Sequence, residues 1–178
     1  PTYEVKVTKN ILIPTRDGIE LAADLILPDA PGPFPTILTY YPYHKDGLMG
    51  AAYIVAEPIE FARRGYAHVF LDIRGTGSSD GWQAGLWRGQ QWEDGYDAVE
   101  WLAQQPWSDG NVGMVGDSAP GATQYAVAEG APSALKCLRP ALESPDRYHH
   151  IVFKGGALRS ELVFTWLQSK GLLHLSDE

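Results

Sequence analysis

The residues Gly116-Asp117-Ser118-Ala119-Pro120-Gly121 are the most informative about the fold, because they join a short apolar run to a segment of small residues. Residues 111–116 predict a strand. Residues 119–129, rich in alanine, predict a helix whose backbone can lie close to a sheet. A serine at such a strand-to-helix turn, between glycines that permit close backbone approach, is typical of a nucleophile elbow.

Ser118 is the candidate nucleophile of this turn. The elbow would expose its Oγ at the edge of the sheet, near the positive end of the following helix. The backbone N–H of Ala119 would then point at an oxyanion formed by attack at Ser118. The alternative is a serine N-cap, since serine is a preferred cap and Pro120 fits a first turn. The flanking strand and helix favour the nucleophile.

On both sides of this turn, predicted strands alternate with predicted helices along the chain. Apolar or alternating runs predict strands at 4–13, 19–27, 36–40, 66–73 and 135–138, and helices are predicted at 52–64, 92–102 and around 157–170. This order predicts an α/β fold with a mostly parallel sheet and helices on both faces. The first two strands, joined by a tight turn at Arg16-Asp17-Gly18, form its antiparallel N-terminal edge. A site is expected at the carboxyl ends of the parallel strands, where loops 41–47, 72–81 and 116–121 lie.

Tyr43 is the candidate for a second oxyanion donor. It closes the run Tyr40-Tyr41-Pro42-Tyr43 directly after the third strand, in the loop where hydrolases with a nucleophile elbow place this donor. A phenol O–H can serve in that role. The alternative is an aromatic packing cluster, which we favour for Tyr40 and Tyr41.

The glycine-rich loop after the fourth strand is predicted to be structural. Its run from Asp72 to Asp80 resembles a dinucleotide fingerprint, but Asp80 stands where the third glycine would be needed. We expect Asp72 and Arg74 to pair with each other.

The histidines give no metal-binding spacing, and the single cysteine, Cys137, lies in an apolar strand, so no metal site is expected. His68 falls within a buried strand and is predicted to be a hydrogen-bonded core residue. His149 and His150 follow the last strand and are the only plausible base within the chain. On an extended segment at most one of them could face Ser118.

Composition excludes several classes of protein. With 14 basic and 22 acidic residues, the net charge is −8, which disfavours binding to nucleic acid or to an anionic membrane. No run approaches the ~20 apolar residues of a membrane span. The sequence begins without a signal peptide, which leaves open a cytoplasmic protein or one secreted after removal of such a peptide.

Longer motifs resemble one family of enzymes. They are Asp72-Ile73-Arg74-Gly75, Asp97-Ala98-Val99-Glu100-Trp101-Leu102, Gln105-Pro106-Trp107-Ser108-Asp109-Gly110-Asn111-Val112-Gly113-Met114, Gly116-Asp117-Ser118, and Gly155-Gly156-Ala157-Leu158 with Trp166. Together they resemble the cocaine esterase and X-Pro dipeptidyl-peptidase family of serine hydrolases, and the resemblance covers essentially all 178 residues.

The resemblance implies an α/β-hydrolase fold that needs no cofactor, with Ser118 as nucleophile and an oxyanion hole made by the Ala119 N–H and the Tyr43 phenol. Trp166 matches a cap tryptophan that resembles a wall of the acyl pocket. Residues 1–145 would be the N-terminal part of the catalytic domain and residues 146–178 the start of a helical cap, with a sheet incomplete at its C-terminal side.

Two departures from the family matter. The residue after the nucleophile is usually tyrosine and here is Ala119, so a side chain that shapes the pocket is replaced by a methyl group. The family's catalytic Asp and His follow the cap, and no residue here matches them. The rest of the polypeptide or a second chain would supply them. The expected function is cleavage of a small ester or amide. The alternatives are an X-Pro dipeptidyl peptidase and a catalytically incomplete binding module.

Overall fold

The computed structural model describes residues 2–48, 50, 52, 57–82 and 91–175, the last range without the side chains of residues 91, 167 and 169–175. The chain divides into two compact units, Pro1–Leu142 and Glu143–Glu178. The first unit holds the sheet and the elbow, and the second is helical.

The elements follow the order expected from the sequence. The strands are β1 (Val5–Pro14), β2 (Glu20–Pro28), β3 (Phe34–Tyr41), β4 (Ala67–Asp72), β5 (Ser108–Asp117) and β6 (Leu135–Ala141). The α-helices are α1 (Pro58–Arg63), α2 (Gln91–Ala103), α3 (Ala119–Glu129) and α4 (Ser160–Leu175), and a π-helical turn (Tyr148–Val152) and a 3-10 turn (Lys154–Gly156) precede α4. The helix predicted at 52–64 falls partly outside the described residues, and α1 is its described end.

The sheet has the strand order β1-β2-β4-β3-β5-β6. Strand β2 pairs antiparallel with both β1 and β4, whereas β3 pairs parallel with β4 and β5, and β5 pairs parallel with β6. Strand β2 is therefore the one reversed strand of the six described. The α/β class and the mostly parallel sheet with an antiparallel N-terminal edge are confirmed.

Apolar side chains cover both faces of the central strands. Strand β4 is buried along its whole length, as its continuous apolar run predicts. One cluster joins β3, β4 and β5 to α2 and α3 and contains Tyr40, and the other joins β2 and β4 to α1 and contains Tyr41. The two tyrosines thus point to opposite faces as buried packing residues, which confirms the favoured alternative for them.

Candidate active site

Ser118 adopts the strained backbone of a nucleophile elbow. Its φ is 60° and its ψ is −121°, a conformation that costs a non-glycine residue on the order of 1–3 kcal/mol. The residue is exposed, and its side chain makes no capping hydrogen bond to α3. The geometry therefore argues against the N-cap alternative and leaves the hydroxyl accessible beyond the end of β5.

Close backbone packing holds this turn. A Cβ added at Gly116 would lie 2.4 Å from Pro120 Cβ and 2.9 Å from the carbonyl carbon and oxygen of Pro120, so no larger residue fits there. The N–H of Ser118 donates to the carbonyl of Ala141 at 2.8 Å, which ties the elbow to the end of β6. The contact between Gly116 and Pro120 and the hydrogen bond to Ala141 together hold Ser118 in its strained conformation.

The first turn of α3 leaves one donor beside Ser118. The N–H groups of Gly121 and Ala122 both donate to the Ser118 carbonyl, at 2.8 and 3.0 Å, and Pro120 has no N–H. Ala119 begins the helix, so its N–H has no partner within α3. This is the donor predicted for an oxyanion at Ser118.

Side chains of α3 fasten the elbow to the neighbouring strands. The Thr123 hydroxyl donates to the Tyr40 carbonyl at 2.9 Å, near the end of β3. The Gln124 amide donates to the carbonyl of Gly116 at 3.2 Å and to that of Arg139, in β6, at 3.3 Å. Sequence reasoning missed both residues, because a polar residue within a helix of small residues carries no signal of its partner.

Tyr43 lies two residues beyond β3, in a half-buried position. Its ring packs edge-on against Tyr41, with centroids 5.7 Å apart, and against the cluster that covers the α1 face of the sheet. Strand β3 runs parallel to β5, with Leu38 opposite Met114, so the loops that follow the two strands leave the same edge of the sheet. Tyr43 and Ser118 therefore belong to neighbouring loops at that edge.

Buried polar groups hold the loop that carries Tyr43. The backbone N–H of Lys45 donates to Asp72 Oδ1 at 2.6 Å. The Lys45 side chain is fully buried, and its Nζ contacts Asn10 Oδ1 at 2.6 Å, Asp24 Oδ1 at 3.2 Å and Asp46 Oδ2. Nothing in the sequence indicated this burial, because lysine is among the residues least often buried.

The ion pair expected between Asp72 and Arg74 in the glycine-rich loop after β4 is wrong. Arg74 bonds Asp94 at 2.6 and 2.8 Å and Asp17 at 2.8 and 2.9 Å, rather than Asp72. These carboxylates raise the pKa of Arg74, and Arg74 lowers the pKa of Asp17. Asp72 instead accepts backbone N–H bonds, and burial raises its pKa to about 6.

His68 is a buried core residue, as predicted. Its Nε2 lies 3.0 Å from the Thr39 hydroxyl, and burial lowers its pKa to about 3. His149 and His150 lie in the π-helical turn and not on an extended segment, which corrects the premise used for them. Nδ1 of His149 lies 2.8 Å from Asp146 Oδ2, and Nδ1 of His150 lies 2.7 Å from Ser144 Oγ, all within the second unit.

The two remaining residues that the family resemblance assigns to the acyl pocket lie in different units. Ala119 is only 3% exposed, so the space beside its methyl group is filled rather than open. Trp166 lies half-buried in α4, in the second unit, and its role stays a prediction.

Two features are absent from the described ranges. Among those residues, no group of three or more His, Cys, Asp or Glu side chains could hold a metal ion. Among the helices of the described ranges, none combines the length and the apolar character that a membrane span requires.

Comparison with known proteins connects this arrangement to one family. The family model described as X-Pro dipeptidyl-peptidase (S15 family) matches residues 17–177. The cocaine esterase of Rhodococcus sp. (strain MB1 Bresler) is 38% identical over 161 residues, which cover 90% of this chain and 28% of that enzyme.

Similar solved structures also include hydrolases. A CocE/NonD family hydrolase from Staphylococcus aureus superposes with a TM-score of 0.72 at 29% identity, over 86% of this chain and 30% of that one. An α-amino acid ester hydrolase superposes with a TM-score of 0.71 at 25% identity, over 85% of this chain and 27% of that one. The α/β-hydrolase fold is confirmed, and this chain spans less than one third of the length of these relatives.

Proposed function

The chain belongs to the X-Pro dipeptidyl-peptidase (S15) family, and we propose that it carries the nucleophile and oxyanion hole of a serine hydrolase that cleaves a carboxylic ester or amide. The observation that supports this most directly is the backbone of Ser118. A non-glycine residue held at φ 60° in a turn between strand and helix, with an exposed side chain that caps nothing, has no structural role that requires the strain.

The proposed reaction is acyl transfer in two steps. Ser118 Oγ attacks the substrate carbonyl as a general base takes its proton, and the tetrahedral oxyanion is stabilised by the Ala119 N–H and the Tyr43 O–H. The intermediate collapses to an acyl-enzyme, and the leaving group departs with the proton. Water then attacks the acyl carbonyl, and the acid is released.

We propose that the acid–base pair comes from residues beyond this sequence or from another chain. Within the first unit, His68 is unsuited as a base because it is fully buried and hydrogen-bonded to Thr39. His149 and His150 bond Asp146 and Ser144, on the segment that bears them. The order Ser, Asp, His along the chain is usual for this fold, which supports a pair that follows Ser118.

An ester is favoured over an X-Pro peptide as substrate. The relative of 38% identity is named a cocaine esterase, and a structural relative is named an ester hydrolase. An X-Pro dipeptidyl peptidase would also need an anchor for the free amine of its substrate. We assign no residue to that role. A binding module that retains the fold is the alternative outside enzymes.

Covalent labelling of the full-length, active protein tests the nucleophile. A fluorophosphonate followed by peptide mass spectrometry should label Ser118, and Ser118→Ala should lower ester turnover by about 10⁶-fold. Ser144 is the informative competitor, since it lies against His150. Labelling at Ser144, Ser78 or Ser79 would contradict the assignment, and no labelling at all would favour the binding module.

Substrate pairs separate the remaining alternatives. A p-nitrophenyl ester and an Xaa-Pro p-nitroanilide report on esterase and dipeptidyl peptidase activity in one assay format. Residues 1–178 expressed alone should hydrolyse neither and should be poorly soluble. A soluble segment with Ser118-dependent burst kinetics would instead assign the base to His149 or His150.

A further inference from the structure

We propose that Asp72 is a positioning residue for the oxyanion hole, and that its carboxylate fixes the loop that carries Tyr43 through the backbone of Lys45. The inference rests on the proposed function, in which Tyr43 donates to the oxyanion. It concerns a residue that the resemblance and the proposed reaction leave without a role.

The position of Asp72 suits this role. It is the last residue of β4, it is fully buried, and its Oδ1 accepts the Lys45 N–H at 2.6 Å. Lys45 is two residues from Tyr43, so this bond acts on the backbone of the same short loop. Ile73, which follows Asp72, donates its N–H to the Tyr41 carbonyl at 3.0 Å. The ends of β3 and β4 and the start of the loop are thereby joined.

The other carboxylate oxygen faces the glycine-rich loop. Oδ2 lies 3.4 Å from the N–H of Ser78, and the Ser79 hydroxyl donates to the Asp72 carbonyl at 2.8 Å. A Cβ at Gly77 would lie 2.0 Å from Oδ2 and 2.7 Å from His44 Cδ2. Because residue 77 is glycine, both the Asp72 carboxylate and the Tyr43 loop can approach the backbone of the glycine-rich loop. Asp72 therefore contacts both loops.

The far side of the loop is held independently. The Lys45 side chain enters a buried cluster with Asn10, Asp24 and Asp46, and Lys9 contacts the same two carboxylates from the surface. Residue 45 is thus held by its backbone on one side and by its side chain on the other. Such fixation is what an oxyanion donor requires, because a displacement near 1 Å can cost about 10²-fold in rate.

Asp72 is held at an energetic cost, which fits a positional role. Burial raises its pKa to about 6, while the hydrogen bonds from the Lys45 and Ser78 N–H groups and the positive charge of Lys45 act in the opposite direction. A buried carboxylate is disfavoured unless its charge is satisfied, and here its hydrogen bonds come from the backbone of two loops.

A double-mutant cycle in the full-length protein tests the proposal. Tyr43→Phe should lower kcat by about 10²–10³-fold with little change in KM. Asp72→Ala should lower kcat by about 10²-fold in the parent enzyme but by less than about threefold in the Tyr43→Phe background, because the two changes act on one donor. Asp72→Asn should recover part of the loss, since its carbonyl oxygen can still accept the Lys45 N–H.

Asp94→Asn is the matched control. Asp94 is also buried, but its hydrogen bonds run to Arg74 in the glycine-rich loop rather than to the loop that carries Tyr43. Its effect on kcat should be the same in the parent enzyme and in the Tyr43→Phe background.

Independent, multiplicative losses for Asp72 and Tyr43 would overturn the proposal. If Asp72→Ala does not fold, Asp72→Asn completes the cycle with a smaller loss, of about tenfold, that must again vanish in the Tyr43→Phe background. A wild-type kcat for Tyr43→Phe would refute the inference together with the oxyanion role of Tyr43. Labelling of Ser118 would still decide the proposed function separately.

Discussion

The elbow at Ser118 and the loop at Tyr43 leave the same edge of the sheet, yet they are held by different means. The local conformation of the elbow depends on backbone contacts between near neighbours, since Gly116 lies against Pro120 and the Ser118 carbonyl accepts from Gly121 and Ala122. The Ser118 N–H and the side chains of Thr123 and Gln124 then attach the elbow to β3 and β6. The Tyr43 loop is held by charged and polar side chains from distant parts of the chain. Lys45 is separated by 27 residues from Asp72 and by 35 from Asn10.

This difference has a physical reason. A turn that bends sharply between a strand and a helix is determined by steric fit, which small residues provide locally. A loop without regular structure must have its backbone groups satisfied from elsewhere, and buried side chains do this. The elbow should therefore respond to added volume, and the Tyr43 loop to lost charge or changed protonation.

The largest expected effect is steric and falls on the elbow. Gly116→Ala would place a methyl group against the backbone of Pro120, and we expect a loss of roughly 3 kcal/mol or more in the free energy of unfolding, with loss of activity. Urea unfolding measures this. Gly18→Ala is the control, because Gly18 also has a positive φ, 86°, but nothing within 4 Å of an added Cβ. An equal loss in both variants would show that backbone strain, and not contact with Pro120, sets the elbow.

The next effect is electrostatic and falls on the Tyr43 loop. Lys45→Met leaves the buried Asp24 without its buried partner and should cost about 3 kcal/mol of stability. Lys9→Met is the matched change, since Lys9 contacts the same carboxylate but its side chain is 54% exposed, and it should cost less than about 1 kcal/mol. Comparable losses in urea unfolding would mean that burial of Lys45 does not distinguish the two ion pairs.

Protonation of the buried Asp72 carboxyl in β4 predicts how the stability changes with pH. Asp72 has a pKa of about 6 in the folded chain against 3.8 ordinarily, so the folded state binds this proton more tightly. Wild-type stability from this group is therefore present below pH ~4 and is lost as the pH rises toward 6. Relative to the wild type, Asp72→Asn should gain about 2 kcal/mol between pH 4 and pH 7 in urea unfolding.

His68 supplies a control of opposite sign on the same strand. Burial lowers its pKa to about 3 from 6.5, so its contribution is present above pH 6.5 and is lost on acidification toward pH 3. His68→Gln should therefore lose less stability than the wild type on acidification over this range.

The interpretation of Asp72 would be contradicted if the difference in unfolding free energy between Asp72→Asn and the wild type stayed constant across pH 4–7.

The smallest expected effect concerns substrate selectivity and falls on Ala119, beside Ser118. Ala119 is buried, so Ala119→Tyr must displace its neighbours or project toward the substrate. We expect relative kcat/KM values across a series of acyl chain lengths to change by about tenfold, with a smaller change for the smallest ester. An unchanged ranking of esters would indicate that residue 119 contributes only its backbone N–H.

Much of the fold could be predicted from local pattern. The helix at 119–129, the buried strands and the serine between strand and helix all follow from side-chain periodicity and residue size over about ten residues. The strand order could not be derived in this way, since β4 lies between β2 and β3 although it follows both in the chain. The prediction that Arg74 pairs with Asp72 was wrong because it also relied on local sequence. The observed partners, Asp17 and Asp94, are 57 and 20 residues away.

The elbow can be predicted from the sequence, because its local conformation depends on glycines and small residues within a few positions of Ser118. The sequence pattern also places Tyr43 directly after a buried strand of the same sheet. The contacts that hold the Tyr43 loop become visible only in the folded chain, since Lys45 and Asp72 are charged residues that a local pattern would place at the surface. Their burial depends on partners that come together only when β1, β2, β3 and β4 are assembled.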